Sequence, residues 1–157
     1  MIGELTKIEI EQVLQTEVFG RIGCCDQGVA YVVPTSYAYE GGTIYAHTNK
    51  GMKIDIMRKN PTVCFEVDHL EHMSHWKSVI GWGQFKEITN PEQRKQALQI
   101  LLRRKLPLLP SQTVKIINAW PFGHHDTSGI EGIVYSITLD KKSGRYEDDQ
   151  QSPSFAG

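Results

Sequence analysis

The stretch VVPTSYAYEGGTIYAHTNKGMKIDIMRKNPTVCFEVD, residues 32–68, contains the pattern that decides the fold. Its first half is rich in Val, Thr and Tyr and is interrupted by a Gly-Gly pair, which is typical of two strands joined by a tight turn. Residues 51–60 change to helical spacing, with Ile54 and Met57 on one face and basic residues before Pro61. The pattern predicts a hairpin, a short helix and then another strand.

The residues before this stretch predict one helix and one further strand. Thr6 and Glu9 have the spacing of a capping box, and apolar residues follow at helical intervals. Residues 20–33, GRIGCCDQGVAYVV, have strand composition and contain a turn signal at DQG. Together with the stretch above, we expect three strands in a meander after an N-terminal helix.

The residues after this stretch continue the same alternation. Residues 76–88, WKSVIGWGQFKEI, have strand composition, and the Gly81 and Gly83 pair suggests a bulge or a close approach of the backbone to a bound group. A helix is expected from Pro91, after an asparagine cap, and residues 132–140 form the closing strand. The predicted fold class is mainly β with peripheral helices, a small barrel of five or six mostly antiparallel strands.

Composition favours a single globular domain. The chain has 157 residues, of which 39% are hydrophobic, enough to bury one continuous core. We assign residues 1–140 to this domain. Residues 141–157, KKSGRYEDDQQSPSFAG, are polar and of low complexity, so we predict a disordered tail there.

Charge and cysteine content exclude several classes of protein. The chain has 17 Lys and Arg against 18 Asp and Glu, a net charge of −1, so we expect no nucleic-acid partner. Three cysteines, two of them adjacent as Cys24 and Cys25, do not form the even framework of a secreted disulfide protein. The N-terminus is charged and no apolar run reaches about 18 residues, so we expect neither a signal peptide nor a membrane span. These features predict a cytoplasmic protein.

The junction between the second strand and the short helix has the features of an anion site. His47 and Thr48 end the strand, Gly51 makes the turn, and Lys50 and Lys53 flank the helix start, where free N–H groups face the turn. The alternative is that these lysines are ordinary solvated residues. Cations at the positive end of a helix dipole are mildly unfavourable, by roughly 0.3–1 kcal/mol, so a phosphate ligand would explain their placement, but the spacing alone leaves both interpretations open.

The order of these motifs resembles a known family. The series VPTSYAY, a Gly-Gly turn, His47-Thr48, a basic residue at Lys53, Asn-Pro, WKSV and GWG is similar to the pyridoxamine 5′-phosphate oxidase-like FMN-binding split barrels. Within them it most resembles the nitroimidazole-resistance-like flavoproteins. The resemblance extends over residues 20–88 and more weakly through the closing strand.

The resemblance implies a homodimer with FMN at the subunit interface. It places the strand of residues 32–37 along the flavin, mostly through its backbone, and places Ser78 in polar contact with the ring. The implied cofactor-binding residues are Val33, Pro34, Thr35, Ser36, Tyr37, His47, Thr48, Lys50, Met52, Lys53 and Ser78.

One position departs from the family pattern. Met52 stands where an arginine is commoner, so only Lys53 keeps the charge of a basic pair that binds phosphate. Lys50, or an arginine such as Arg21, would have to compensate for the missing charge.

The function implied is that of an FMN-dependent oxidoreductase acting on small molecules. Electrons would pass from a reduced nicotinamide cofactor to a small acceptor such as a nitroaromatic, and the catalytic residues stay unassigned, with His47 the best candidate for proton transfer. The alternative is a haem- or flavin-binding split-barrel protein without turnover, in which His124 or His125 ligates iron. Residues 119–126, AWPFGHHD, would either cover the flavin of a partner subunit or plug the barrel.

Three histidines raise the alternative of a metal site. His69, His72 and His75 recur at every third residue, and with Cys64 they could supply metal ligands. Side chains at this spacing do not converge on a helix or a strand. We therefore predict a polar hairpin loop and no metal site.

Overall fold

A computed structural model of the chain describes residues 1–104, 127 and 129–149. The helices and strands within these residues are β1 (Ile2–Glu4), α1 (Lys7–Thr16), β2 (Phe19–Asp26), β3 (Val29–Ser36), β4 (Ala38–Glu40), β5 (Thr43–Thr48), α2 (Met52–Lys59), β6 (Thr62–His72), β7 (His75–Glu87), α3 (Pro91–Arg103) and β8 (Ile133–Glu147). The strands form one antiparallel sheet in the order β3-β2-β6-β7-β8-β5-β4, with β1 paired to β8.

The sheet closes on itself through a single residue. β3 and β4 stand at opposite ends of the strand order, yet only Tyr37 separates them in sequence. Its N–H donates to Val18 O, its ring is fully buried, and its hydroxyl donates to Leu14 O at 2.8 Å. The described residues thus confirm the predicted barrel, mainly β with peripheral helices.

The number of strands was underestimated. The described residues contain an eight-stranded sheet rather than five or six strands. One addition is β1, which is only three residues long, and another arises because the stretch predicted as one strand leaves β2 at Tyr37 and continues beside β5 as β4. This change of partner depends on the closure of the barrel and has no local signal in the sequence.

Both predicted hairpin turns are confirmed. Gln27 and Gly28 have φ values of 49° and 78°, and Gly41 and Gly42 have values of 60° and 79°. Positive φ at both central residues is the geometry of the type I′ turn, whose twist matches that of the flanking strands. These turns set the registers of β2 with β3 and of β4 with β5.

The three predicted helices begin where the sequence indicated. Thr6 and Glu9 form a complete capping box before α1, Gly51 precedes α2, and the Asn90 side chain accepts from two N–H groups at the start of α3. α1 and α2 contribute buried apolar residues to the core inside the barrel, whereas α3 packs outside against β4, β5 and β8. None of the described helices is long and apolar enough to cross a membrane.

β7 and β8 form the longest ladder of the sheet, and β8 extends into the predicted tail. The register shifts between Trp82 and Gly83, as the predicted bulge requires, and the close neighbour of Gly83 is the backbone of Thr138 rather than a bound group. β8 continues to Glu147 because residues 76–87 of β7 all pair with residues of β8, and the last of these pairs joins Trp76 to Glu147. The prediction of a disordered tail from residue 141 is therefore wrong for residues 141–147, and residues 150–157 lie outside the described part.

Candidate functional site

The barrel is split between β3 and β5. β4 pairs with β5 from Glu40–Thr43 to Ala38–Tyr45 and no further, although continuation of the register would bring Ser36 opposite His47. Instead β3 pairs with β2, and residues 46–48 of β5 pair only with β8. Within the described residues, the facing edges of these two segments have no strand partner. Backbone N–H and C=O groups on both edges are thus available to a ligand.

The hydroxyl groups on the β3 side of the split differ in their partners. Thr35 Oγ1 donates to Ser36 O at 3.1 Å, and Tyr135, whose pKa burial raises to about 12, donates to Thr35 across 3.4 Å. Ser36 Oγ is buried, and the described part of the chain offers it no hydrogen-bond partner. A buried hydroxyl without a partner costs about 1–3 kcal/mol, so a ligand that bonds to Ser36 would recover that cost.

Three more predicted cofactor-binding residues lie on β3 or directly after it, and their side chains offer a ligand few contacts. The Tyr37 side chain is committed to the core, so its backbone alone could contact a ligand. Val33 packs against the same core, and Pro34 is exposed and lacks an N–H. These three residues therefore fit the expectation that β3 acts mostly through its backbone.

His47 at the end of β5 has a defined tautomer. Its Nε2 lies 2.5 Å from Glu131 O, and because a carbonyl oxygen can only accept, Nε2 carries the hydrogen. Burial is the main cause that lowers the pKa of His47. The hydrogen bond to Glu131 opposes this shift, and the positive charges of Arg94 and Arg104 add to it. His47 is thus neutral at neutral pH, with Nδ1 as an unprotonated acceptor. Thr48 next to it is half-buried.

The chain segment that holds His47 is itself held by α3. Arg94 donates to Ile130 O at 2.8 Å and to Gly132 O at 3.3 Å, on either side of the carbonyl that His47 contacts. Gly132 has φ 98°, and a Cβ there would lie 2.7 Å from His47 Nε2. No local sequence pattern indicates that Arg94 and Gly132 support the site, because Arg94 has the pattern of an ordinary surface helix residue.

The start of α2 carries the predicted anion-binding features. Gly51 is extended and provides no side-chain cap, so the first N–H groups of the helix are unsatisfied by side chains. Lys53 is half-buried, burial lowers its pKa, and residues 1–104, 127 and 129–149 offer it no hydrogen bond or ion pair. Lys50 and Met52 are exposed, Met52 by 62%. An anion bound at this position would stabilise the charged form of Lys53, which burial disfavours.

The comparison with known proteins identifies the family. The sequence model of the pyridoxamine 5′-phosphate oxidase family matches residues 6–146. The chain belongs to this family. An uncharacterised protein of Rhizobium meliloti is 32% identical over 84 residues, which are 54% of this chain, and the chain spans only 56% of that relative.

Two solved structures share the fold. An FAD-binding protein from Mesorhizobium loti superposes with a TM-score of 0.71 and 28% identity, over 94% of this chain and 99% of that one. A candidate 5-nitroimidazole antibiotic resistance protein from Bacteroides thetaiotaomicron gives a TM-score of 0.66 and 22% identity, over 93% and 87% of the two chains. The second likeness shows the fold alone.

Two residues that the family resemblance had suggested lie on the outer face of the sheet, away from the split. Ser78 on β7 donates to Glu66 at 3.4 Å and stands three strands from β3, about 14 Å along the sheet. Arg21 pairs with Glu66 at 3.3 Å and with Asp68 at 2.6 Å, and the bond to Asp68 raises its pKa. Arg21 is thus committed and does not replace the arginine missing at Met52.

The predicted polar hairpin is confirmed, and the four suggested metal ligands do not converge. β6 and β7 form the hairpin, with His72 opposite His75. Cys64 lies five residues back along β6 from His69, about 17 Å away in an extended strand, and is a free thiol. Residues 119–126, which include His124 and His125, lie outside the described part, so their suggested roles stay predictions.

Proposed function

We propose that the split binds a flavin and that the cofactor is FMN. The observation that carries this proposal is the pair of strand edges that have no strand partner among the described residues. They lie beside the buried Ser36 hydroxyl, and the Lys53 charge, which the same residues leave unpaired, stands at the start of the following helix. Membership of the family supports it, and so does the Mesorhizobium loti relative, which is named for binding FAD.

The residues present fit the parts of such a cofactor. The N–H groups at the start of α2, with Lys53 and the exposed Lys50, would hold the phosphate. The free edge of β3 would lie along the ring, where Ser36 supplies a hydroxyl to a polar ring atom. His47 Nδ1 would accept a hydrogen bond or hold a proton at the opposite edge of the split.

The proposed activity is electron transfer from a reduced nicotinamide cofactor to a small acceptor such as a nitroaromatic. When bound, the flavin supplies the hydride and electron transfer, and the protein supplies orientation and exclusion of water. A neutral His47, positioned through Glu131 and Arg94, is suited to accepting a proton at Nδ1.

We also propose that the chain forms a homodimer through the outer sheet face. Val32, Gly23, Cys64 and Trp82 form one cross-strand row on that face, and Ile80 stands beside it. Val32, Trp82 and Ile80 are 69%, 39% and 36% exposed, which is unusual for apolar strand residues unless a partner covers them. Ser78 lies on the same face, so in this dimer it would lie at or beside the interface.

Sedimentation tests the dimer. The expected mass is twice the 17.8 kDa of the chain, and Trp82→Lys should yield monomers because it places a charge in the apolar row. Met73→Lys is the matched control, since Met73 is 83% exposed at the hairpin tip, away from this row. A monomer that still binds flavin at micromolar concentration would contradict the interface model.

Fluorescence titration of the full chain with FMN, FAD and riboflavin tests the cofactor. We expect one FMN per chain, bound more tightly than riboflavin because the phosphate contributes, and reduction of the bound flavin by NADH or NADPH. Equal affinity for FMN and riboflavin would refute the phosphate site. Flavin binding without reduction, or an iron-dependent Soret band in place of flavin binding, would favour a binding protein over an enzyme.

A further inference from the structure

A second cluster of ionisable side chains lies away from the split, where the tip of the β6–β7 hairpin meets the end of β8. One ligand atom from each of His75, Asp148 and Asp149 lies within 4.8 Å of the other two. His75 Nδ1 lies 3.4 Å from Asp148 Oδ1. Imidazole nitrogen with carboxylate oxygen is a common donor set for first-row transition metals.

The backbone fixes the position of these donors. Trp76 pairs with Glu147 in the β7–β8 ladder, and the Trp76 indole also donates to the Glu147 carboxylate at 2.9 Å. The next residue on each side of this pair brings His75 opposite Asp148. Asp148 is held in turn by the first residue of the chain, because its N–H donates to Met1 O and the Met1 amino group donates to Asp148 O.

Other polar groups support the donors from outside. Glu71 Oε2 lies 3.5 Å from His75 Nε2, the nitrogen that points away from Asp148. A carboxylate on the second nitrogen of a histidine is the arrangement that orients histidine ligands in metal sites. Ser74 donates to Asp149 Oδ2 at 3.2 Å, and His72 Nε2 lies 3.9 Å from the same oxygen, so His72 is available as a fourth ligand.

Simple ion pairing explains these distances less well. The nearby pair of His69 Nδ1 with Glu17 is 2.7 Å long, the length of a direct charge-assisted hydrogen bond. The His75–Asp148 and His72–Asp149 separations, at 3.4 and 3.9 Å, are wider. Ligands about 2.0–2.2 Å from a tetrahedral metal stand about 3.3–3.6 Å from each other, so the wider spacing matches donors around an ion.

We propose that His75, Asp148 and Asp149, with His72 as the fourth ligand, bind a divalent transition metal of the zinc class. The imidazole ligands select against Mg²⁺ and Ca²⁺, which prefer oxygen. The bound ion ties the hairpin tip to the end of β8 and, through Asp148, to the N-terminus. Because its ligands come from outside the split, this proposal is independent of flavin binding.

Calorimetric titration of the metal-free full chain with Zn²⁺ tests the site, with Co²⁺ absorption as a report of tetrahedral coordination. We expect one ion per chain, no comparable binding of Mg²⁺, and a rise of about 5–10 °C in Tm at a hundredfold excess over Kd. His75→Ala and Asp148→Asn should each weaken Zn²⁺ binding at least tenfold. Cys64→Ser is the matched control and should bind as the unmodified chain does, since Cys64 is a free thiol near the start of β6, opposite Trp82 and away from the donors.

Three results would overturn the proposal. One is no Zn²⁺ binding at 100 μM, and another is binding that survives both His75→Ala and Asp148→Asn, which would place the ion elsewhere in the chain. The third is equal loss of binding in the Cys64→Ser control. Circular dichroism of each variant without metal separates loss of ligands from loss of fold.

Discussion

The β7–β8 ladder and the split differ in how many of their backbone groups have a partner. Along the ladder, residues from Trp76 to Glu87 all have β8 partners, and one glycine allows the two backbones to approach closely at the bulge. At the split, two strand edges, the Ser36 hydroxyl and the Lys53 charge have no partner within the described residues. The difference shows that the ladder stabilises the barrel, whereas the split carries unsatisfied groups that a ligand would satisfy.

The largest effect is expected from a change within the ladder. A Cβ at Gly83 would overlap the carbonyl oxygen of Thr138, which cannot move without breaking the ladder. Gly83→Ala should lower the free energy of unfolding by about 3 kcal/mol or more, measured by urea denaturation. Gly129→Ala is the control because a Cβ there meets no atom of the described residues within 4 Å, and a similar loss in both variants would show that the ladder is not the cause.

Smaller changes in stability, of opposite sign, are expected when Thr35 and Ser36 at the split are substituted. Thr35→Val removes the bond to Ser36 O and leaves the buried Tyr135 hydroxyl without its acceptor, so the flavin-free protein should lose about 1–2 kcal/mol. Ser36→Ala removes a buried hydroxyl that has no partner among residues 1–104, 127 and 129–149, so it should be neutral or stabilising by up to about 1 kcal/mol, while FMN affinity falls. Denaturation and flavin titration of both variants check this, and destabilisation by Ser36→Ala would mean that the hydroxyl is already satisfied.

The smallest effect concerns pH, and it distinguishes the split from the hairpin. The bond to Glu17 raises the pKa of His69, so its contribution to stability is full below the unfolded value of about 6.5 and is lost as pH rises through the folded pKa. Burial lowers the pKa of His47, so its contribution is present above about 6.5 and is lost as pH falls through the folded pKa.

Stability measured from pH 5 to 8 separates the two histidines. His69→Gln should remove part of the loss on the alkaline side, by less than about 1 kcal/mol because the pair is half-exposed. His47→Gln should remove part of the loss on the acid side. The same change in slope for both variants would contradict the opposite shifts.

Features that depend on neighbouring residues could be predicted from the sequence. Thr6 with Glu9, Asn90 before Pro91, and the glycine turns each have a local signal, because caps and type I′ turns need particular residues at fixed offsets. The split-barrel fold was implied by the resemblance in the order of the motifs rather than by any single motif.

Features that depend on distant residues could not be predicted in this way. The Arg94 contacts to Ile130 and Gly132 join residues almost forty positions apart, and the approach of His75 to Asp148 requires the full β7–β8 register. Polar residues after position 140 have the composition of a disordered tail, and only pairing with β7 makes them a strand.

The measurement that tests the central claim most directly is the affinity of Lys53→Ala for FMN and for riboflavin. A charge-assisted contact to phosphate is worth roughly 1.5–3 kcal/mol, so FMN should bind about tenfold to a hundredfold more weakly, with riboflavin nearly unchanged. Lys59→Ala is the control, since Lys59 is at the far end of α2 and pairs with Asp26. The account predicts loss of FMN affinity in Lys53→Ala alone, together with a weaker salt dependence. Equal loss of FMN and riboflavin binding, or unchanged FMN binding, would contradict it.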